Sequence, residues 1–169
     1  MESNLRLAGI VRESIVDGPG WRFTIFVQGC PHHCPGCHNP QTHDFSGGFD
    51  CTVEKLFREI LKNPMLNGVT FSGGEPFCQA EALAALGARL REQGKNIITY
   101  SGYTLEELLE LSKQKPDILR LLEITDYLID GRFELAQRDL SLQFRGSRNQ
   151  RILDAKASLR AGLPIQAEL

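Results

Sequence analysis

Short runs of β-branched and aromatic residues alternate along this chain with stretches in which apolar residues recur at helical spacing. The runs predict five strands, at residues 5–11, 22–28, 68–71, 96–100 and 127–129. The helical stretches predict helices over residues 52–61, 79–93 and 104–114, with a shorter helical turn at residues 118–122. Residues 152–160 fit either a helix or irregular structure.

Residues with known capping preferences mark the ends of these helices. Thr52 is placed to cap the first helix, and Gly94 follows the second at a position that favours glycine. Thr104 and Glu107 form a capping box that opens the third helix. The alternation of strands and helices predicts an α/β fold with a mainly parallel sheet, formed by a single domain over residues 1–169.

Polar, glycine-containing stretches follow several of the predicted strands, at residues 29–39, 72–76, 101–103 and 130–133. The carboxyl ends of parallel strands share one edge of the sheet, and ligands bind at that edge in open sheets and barrels. We therefore expect these four stretches to converge on one site.

Three cysteines, Cys30, Cys34 and Cys37, lie in a C-x3-C-x2-C pattern on the first of these stretches. Soft thiolate ligands select iron–sulfur clusters, zinc or Cu(I) over hard cations. The spacing favours an iron–sulfur cluster with one open iron over a zinc site. A structural zinc ion needs a fourth ligand, for which four histidines nearby would compete: His32, His33, His38 and His43.

Two further cysteines, Cys51 and Cys78, are the candidates for a fourth thiolate. Neither lies in a patterned motif, and free cysteine often behaves as a small buried apolar side chain. We expect that role for both. The open position on a cluster would then belong to a substrate.

The stretch Ser72-Gly73-Gly74-Glu75-Pro76 follows the 68–71 strand. Two glycines let the backbone approach a ligand closely, and the residue before proline, Glu75, is held extended. Carbonyl oxygens exposed there suit a cationic group such as an ammonium, although an ordinary tight turn has the same composition. Ser101 and Asp130 occupy equivalent strand ends, where Asp130 could bind a ribose or an amine, or only cap its turn.

The composition and net charge of the chain argue against nucleic acid and membranes as partners. The chain has 169 residues, 41% of them hydrophobic, and a formal net charge of −2, which gives no electrostatic reason to expect nucleic acid or a membrane as a partner. No apolar run approaches the roughly 20 residues that span a bilayer, and we expect no signal peptide. An odd count of cysteines, five in all, indicates a reducing, cytoplasmic setting.

The cysteine triad and the Gly-Gly-Glu-Pro strand end together resemble the radical S-adenosylmethionine (SAM) superfamily. Residues 14–20, 28–30 and 37–40 resemble the glycyl-radical-enzyme activases. Residues 100–104, 130–133 and 145–151 look like the activases that serve anaerobic ribonucleoside-triphosphate reductase. The match runs from about residue 5 to about residue 154.

This resemblance implies an incomplete, open radical-SAM (β/α) barrel of five or so strands. It implies that Cys30, Cys34 and Cys37 hold three irons of a [4Fe-4S] cluster whose fourth iron binds SAM. Five residues would contact SAM, the first three at its ammonium and mainly through backbone: Gly73, Gly74, Glu75, Ser101 and Asp130.

The implied reaction is reductive cleavage of SAM to a 5′-deoxyadenosyl radical, which takes hydrogen from a glycine of the reductase large subunit. The implied partners are that subunit and a flavodoxin- or ferredoxin-like electron carrier. The alternatives are activation of another glycyl-radical enzyme, a small-molecule radical SAM enzyme such as 7-carboxy-7-deazaguanine synthase, and a non-enzymatic metal-binding module.

Two positions depart from related patterns. Gly36 stands where many superfamily members have an aromatic residue that packs near adenine, so another part of the chain must cover the base. His43 stands where the reductase activases often have tryptophan.

Overall fold

The structure, a computed structural model, describes residues 3–169, and these form one seven-stranded sheet with five α-helices. The strands are β1 (Asn4–Ser14), β2 (Arg22–Val27), β3 (Phe49–Thr52), β4 (Gly68–Gly73), β5 (Asn96–Tyr100), β6 (Tyr127–Asp130) and β7 (Arg151–Asp154). The helices are α1 (Val53–Leu61), α2 (Ala80–Glu92), α3 (Leu105–Ser112), α4 (Pro116–Ile124) and α5 (Ala155–Ala161).

The sheet is parallel at its centre and open at both ends. Its strand order is β3-β1-β2-β4-β5-β6-β7, in which β2, β4, β5 and β6 run parallel. The outer strands β1, β3 and β7 pair antiparallel with their neighbours. The predicted α/β class, with a mainly parallel sheet that does not close, is confirmed.

One face of the sheet carries the hydrophobic core. Alternate residues of β2 and β4, among them Ile25 and Phe71, are fully buried against the helices. Burying such a side chain stabilises the fold by about 1.5–3 kcal/mol. Gly87 of α2 allows α4 to approach closely, because a Cβ atom there would lie 2.3 Å from Cδ1 of Ile124.

The opposite face of the central strands carries polar groups that are satisfied internally. Arg22 is fully buried; its Nε donates to Thr70 Oγ1 at 2.7 Å and its Nη2 donates to the Val69 carbonyl at 2.9 Å. Burial lowers the pKa of Arg22 to about 10 because it disfavours the charged guanidinium. At the carboxyl ends of the parallel strands, this face reaches the edge of the sheet where ligands are expected to bind.

The predicted helix caps are confirmed. Thr52 Oγ1 accepts a hydrogen bond from Lys55 N at 3.1 Å. Thr104 and Glu107 form the complete capping box at the start of α3. Gly94 follows α2 with φ of +80°, a conformation that glycine adopts without strain.

Four elements differ from the sequence-based expectation. β3 was not predicted as a strand, because it is short and its exposed positions show no apolar alternation, and its last residue, Thr52, was assigned only as the cap of the following helix. β7 and α5 divide residues that were expected to be loop or a single helix, and Asp154 caps α5 by accepting from Ala157 N at 2.9 Å. α4 extends the predicted 118–122 turn in both directions. The sheet therefore has seven strands rather than five or so.

The outer side of β7 is covered by residues near the end of the chain. Asp154 N donates to the Ile165 carbonyl and Ala167 N donates to the Ile152 carbonyl, both at 2.9 Å. Residues 165–167 thereby pair with two of the backbone groups on that side of the strand. Within residues 3–169, no helix has the length and apolar character needed to cross a membrane.

Candidate functional site

A cavity of about 380 Å³ opens at the carboxyl ends of the parallel strands. All four polar stretches identified in the sequence contribute to its wall, as expected. The contributing residues include Cys30, Cys34, Cys37, Gly73, Gly74, Ser101, Gly102, Gly131 and Phe133.

The cysteine loop begins directly after β2. Cys30 is 8% exposed, Cys34 and Cys37 are half-buried, and all three are free thiols. Cys30 N donates to the His43 carbonyl at 3.2 Å, and Cys37 N donates to the Cys34 carbonyl at 3.1 Å. Asn39 N donates a hydrogen bond to Cys37 Sγ at 3.4 Å.

Opposing influences act on the Cys30 thiol. Burial raises the pKa of Cys30, because the thiolate would lose its hydration. Backbone N–H groups of His32 and His33 hydrogen-bond the sulfur and lower the pKa, whereas the nearby charge of Glu75 raises it. The protein therefore already directs backbone donors at this sulfur.

The glycine-rich turn after β4 packs against the start of the cysteine loop. Gly73 has φ of +96°, and a Cβ atom on Gly74 would lie 2.3 Å from the Gly29 carbonyl oxygen. Glu75 N donates to that same carbonyl at 2.8 Å, and Gly74 N donates to the Val27 carbonyl at 2.8 Å. Both glycines are needed for this approach, which an ordinary strand–helix turn does not require.

The side chain of Glu75 points into the protein instead of lining the cavity. It is fully buried, and its carboxylate accepts hydrogen bonds from Ser101 Oγ at 2.9 Å and from Gly102 N at 2.8 Å. The Glu75 carbonyl, expected to face a ligand, accepts from Cys78 N at 3.0 Å. The residues of the motif that line the cavity are Ser72, Gly73 and Gly74.

The side chain of Asp130 also points into the protein and binds protein groups. Its fully buried carboxylate accepts from Leu105 N at 2.7 Å and from Arg151 Nε at 3.0 Å. The hydrogen bonds that the guanidinium donates to Asp130 and Glu106 raise the pKa of Arg151, so that guanidinium is firmly charged. The cavity wall is formed by the next residue, Gly131, and the expected contact between Asp130 and SAM stays a prediction.

The remaining two cysteines lie outside this cavity. Cys51 is half-buried on β3 and packs against the core, as expected of a small apolar side chain. Cys78 is exposed, so its expected burial is wrong. It lies on the short 3-10 turn Pro76–Gln79, where the neighbouring Phe77 takes the buried position.

Side chains from residues after β6 cover the cysteine loop beside Gly36. A Cβ atom on Gly36 would lie 3.0 Å from Leu135 Cδ1 and 3.4 Å from Phe133 Cε1. The Phe133 ring also packs against His38, with ring centroids 5.2 Å apart. Sequence reasoning placed Phe133 near the site as part of residues 130–133 but did not predict that it covers Gly36, and it missed Leu135, because residues 133–147 have no periodic pattern.

His43 lines the cavity, and its ring packs edge-on against His33 with centroids 5.1 Å apart. The imidazole therefore has a packing contact at the position where related activases often carry tryptophan.

Comparisons with known proteins place the chain in a family. Residues 16–153 match a family described as a 4Fe-4S single cluster domain. The anaerobic ribonucleoside-triphosphate reductase-activating protein of Haemophilus influenzae is 38% identical over 144 residues, covering 80% of this chain and 89% of the relative. The protein of the same name from Vibrio cholerae is 40% identical over 144 residues, with the same coverage of both chains. This chain belongs to that family of reductase-activating proteins.

Members of this activating-protein family are radical SAM enzymes, and the chain is accordingly a radical SAM oxidoreductase with a [4Fe-4S] cluster and SAM as cofactors. The pyruvate formate-lyase-activating enzyme of Clostridium pasteurianum is 38% identical over 132 residues, covering 75% of this chain and 55% of that enzyme. The crystal structure of QueE from Escherichia coli is 18% identical with a TM-score of 0.48, covering 60% of this chain and 53% of that one.

The residues around the cavity fit a [4Fe-4S] cluster. The three thiols that line the cavity are soft ligands, and backbone N–H groups are directed at the sulfurs of Cys30 and Cys37. Within residues 3–169, no three His, Cys, Asp or Glu side chains lie in positions from which they could hold a single metal ion together. Thiolates that hold a cluster each bind a different iron, so this arrangement is compatible with cluster binding.

Proposed function

We propose that this chain generates the glycyl radical of an anaerobic ribonucleoside-triphosphate reductase by reductive cleavage of SAM. The observation that carries the proposal is one cavity lined by Cys30, Cys34 and Cys37 together with the backbone of Gly73 and Gly74. Relatives 38–40% identical over 144 residues bear the name of that activity, which supports the choice of partner.

The three thiolates would hold three irons of the cluster, and the fourth iron would be left to the amino and carboxylate groups of SAM. When bound, the cluster and SAM supply one-electron cleavage of a carbon–sulfur bond, giving methionine and a 5′-deoxyadenosyl radical that can take hydrogen from glycine. Such chemistry belongs to the cofactors, while the protein supplies binding, orientation and exclusion of water.

The backbone of Gly73 and Gly74 is the proposed binding surface for the SAM ammonium. Peptide carbonyl oxygens attract a cation without adding a proton-accepting side chain, and the missing Cβ atoms permit close approach. Ser101 lines the same wall, although its hydroxyl already donates to Glu75.

Apolar side chains form another part of the wall, and their proposed task is to exclude water and other hydrogen donors. They come from β2 and from residues after β6, are each half-buried, and are Phe26, Phe133, Leu142 and Phe144. A radical formed in the cavity would then meet only the hydrogen donor that the partner presents.

The proposed partner is the reductase large subunit, whose glycine-bearing segment would enter at the open edge of the sheet. A reduced flavodoxin- or ferredoxin-like carrier would supply the electron.

The proposal is tested by anaerobic reconstitution with iron and sulfide, followed by mixing with the reductase large subunit, SAM and dithionite. A glycyl-radical doublet in the electron paramagnetic resonance (EPR) spectrum is expected, and it should be absent when SAM is omitted. A protein that binds only zinc, or that gains a cluster but never cleaves SAM, would refute the radical SAM reaction.

A second candidate partner is pyruvate formate-lyase, because its activating enzyme is 38% identical to this chain over 132 residues. Offering both enzymes in parallel decides between them. A radical on pyruvate formate-lyase alone would overturn the choice of partner but leave the SAM chemistry intact.

A further inference from the structure

The side chain of His32, which lies between the first two cysteines of the triad, is held on three sides. It is 5% exposed, and its Nε2 lies 2.7 Å from Oε1 of Glu75. Its ring meets that of Tyr103 edge-on, with centroids 4.5 Å apart. A Cβ atom on Gly102 would lie 2.4 Å from His32 Cδ2, so the ring rests against a backbone that only glycine leaves accessible.

The acceptor of this hydrogen bond, Glu75, is itself fixed in place. Besides His32, its carboxylate accepts from Ser101 Oγ, from Gly102 N at 2.8 Å and from Phe77 N at 3.0 Å. These donors are directed at both oxygens, so the carboxylate acts as an acceptor here, and the His32 nitrogen is assigned as the donor. A buried carboxylate is costly unless it is saturated in this way.

The loop that carries the cysteines has few other attachments. Across the described part of the chain, the His32–Glu75 contact is the one hydrogen bond between residues 31–36 and any other segment. The backbone bond from Cys37 to the Cys34 carbonyl is internal to the cysteine loop.

We propose that His32 is a positioning residue, which fixes Cys30 and Cys34 for cluster binding by donating to Glu75. The hydrogen bond joins the cysteine loop to the ends of β4 and β5, where the glycine-rich turn and Ser101 lie. The inference deepens the proposed function and rests on the cluster that it requires. Outer groups that orient metal ligands typically change metal affinity by about 10–100-fold when removed.

Two substitutions separate the hydrogen bond from the packing of the ring. His32→Phe keeps an aromatic ring beside Tyr103 but has no donor, and His32→Gln offers an amide N–H near the position of Nε2. His33→Asn is the matched control, because it changes the adjacent residue, tolerates its φ of +49° and leaves Glu75 untouched.

The first measurement uses protein without a cluster, in which Cys30 is 8% exposed. Alkylation of Cys30 by iodoacetamide, followed by mass spectrometry, should be severalfold faster in His32→Phe and close to the wild-type rate in His32→Gln and His33→Asn. The second measurement follows iron loss to a chelator after reconstitution. Loss should be about 10-fold faster in His32→Phe, with rescue in His32→Gln.

Equal alkylation and iron-loss rates in His32→Phe and wild type would overturn the inference, as would a His32→Gln variant no better than His32→Phe. His32→Ala replaces His32→Phe in both comparisons if the larger side chain prevents folding. The proposed function fails separately, if wild-type protein binds the cluster but yields no glycyl radical. In that case the alkylation and iron-loss comparisons still test whether His32 positions Cys30 and Cys34.

Discussion

Arg151 holds the buried carboxylate of Asp130 with two hydrogen bonds, from Nε at 3.0 Å and from Nη2 at 2.5 Å. The same carboxylate accepts from Leu105 N at 2.7 Å. This ion pair joins β6 to β7 and places the start of α3 beside both strands.

Replacing Asp130 by asparagine should lower the free energy of unfolding by about 3 kcal/mol, because a guanidinium loses its buried partner. Urea denaturation measures the loss. Glu106→Gln is the control: Glu106 also pairs with Arg151, but its side chain is 59% exposed and should contribute less than about 1 kcal/mol. Equal losses in the two variants would contradict the central role of Asp130.

Changing any one of Cys30, Cys34 and Cys37 to alanine should abolish cluster binding and SAM cleavage, because each supplies one of only three thiolates in the cavity. Iron content and visible absorbance after anaerobic reconstitution measure this. Cys51→Ala and Cys78→Ala should retain most of both, since neither residue lines the cavity. Near-normal activity in a triad variant would refute the ligand assignment.

Gly74→Ala should displace the cysteine loop from the glycine-rich turn, because the new Cβ atom would lie 2.3 Å from the Gly29 carbonyl oxygen. Overpacking of this kind costs about 1–3 kcal/mol. We expect SAM to bind about 10-fold more weakly to the reconstituted variant, as measured by equilibrium dialysis. Gly9→Ala is the matched control, since nothing lies within 4 Å of the Cβ atom it adds. Unchanged affinity in Gly74→Ala would argue against a close fit at this turn.

Tyr100 should make stability depend on pH in the alkaline range. Burial raises the pKa of its hydroxyl, which donates to the Phe144 carbonyl at 2.7 Å. The unfolded chain releases this proton near pH 10, before the folded protein does, so the stabilisation is complete below that pH and is lost above it. Tyr100→Phe should cost about 1 kcal/mol at pH 7 and reduce the decline between pH 9 and 11 in urea denaturation. Parallel declines in both proteins would contradict the assignment.

The central strands and longer helices could be predicted because their signals are local. Thr52 and Thr104 cap helices through neighbours within three residues, and apolar runs such as residues 68–71 mark buried strands. β3 could not be predicted, because its place depends on pairing with Asn4–Leu7 more than forty residues earlier and not on its own composition.

The convergence of four loop stretches could also be predicted, because parallel strands end at one edge of a sheet. The inward direction of the Glu75 side chain could not, since its donors Ser101 and Gly102 come from a different strand end. The same holds for Phe133, which reaches Gly36 from a segment almost a hundred residues away. Such contacts depend on tertiary packing, which has no period in the sequence.

The coverage of β7 by residues 165–167 affects how other polypeptides can associate with this protein. An unpaired strand edge is a template on which another chain can add a strand, productively or in aggregation. Here residues 165–167 already pair with the outer edge of β7, and the opposite edge strand, β3, is only four residues long. Association by strand addition is therefore disfavoured, and a partner must be recognised through side chains and loops.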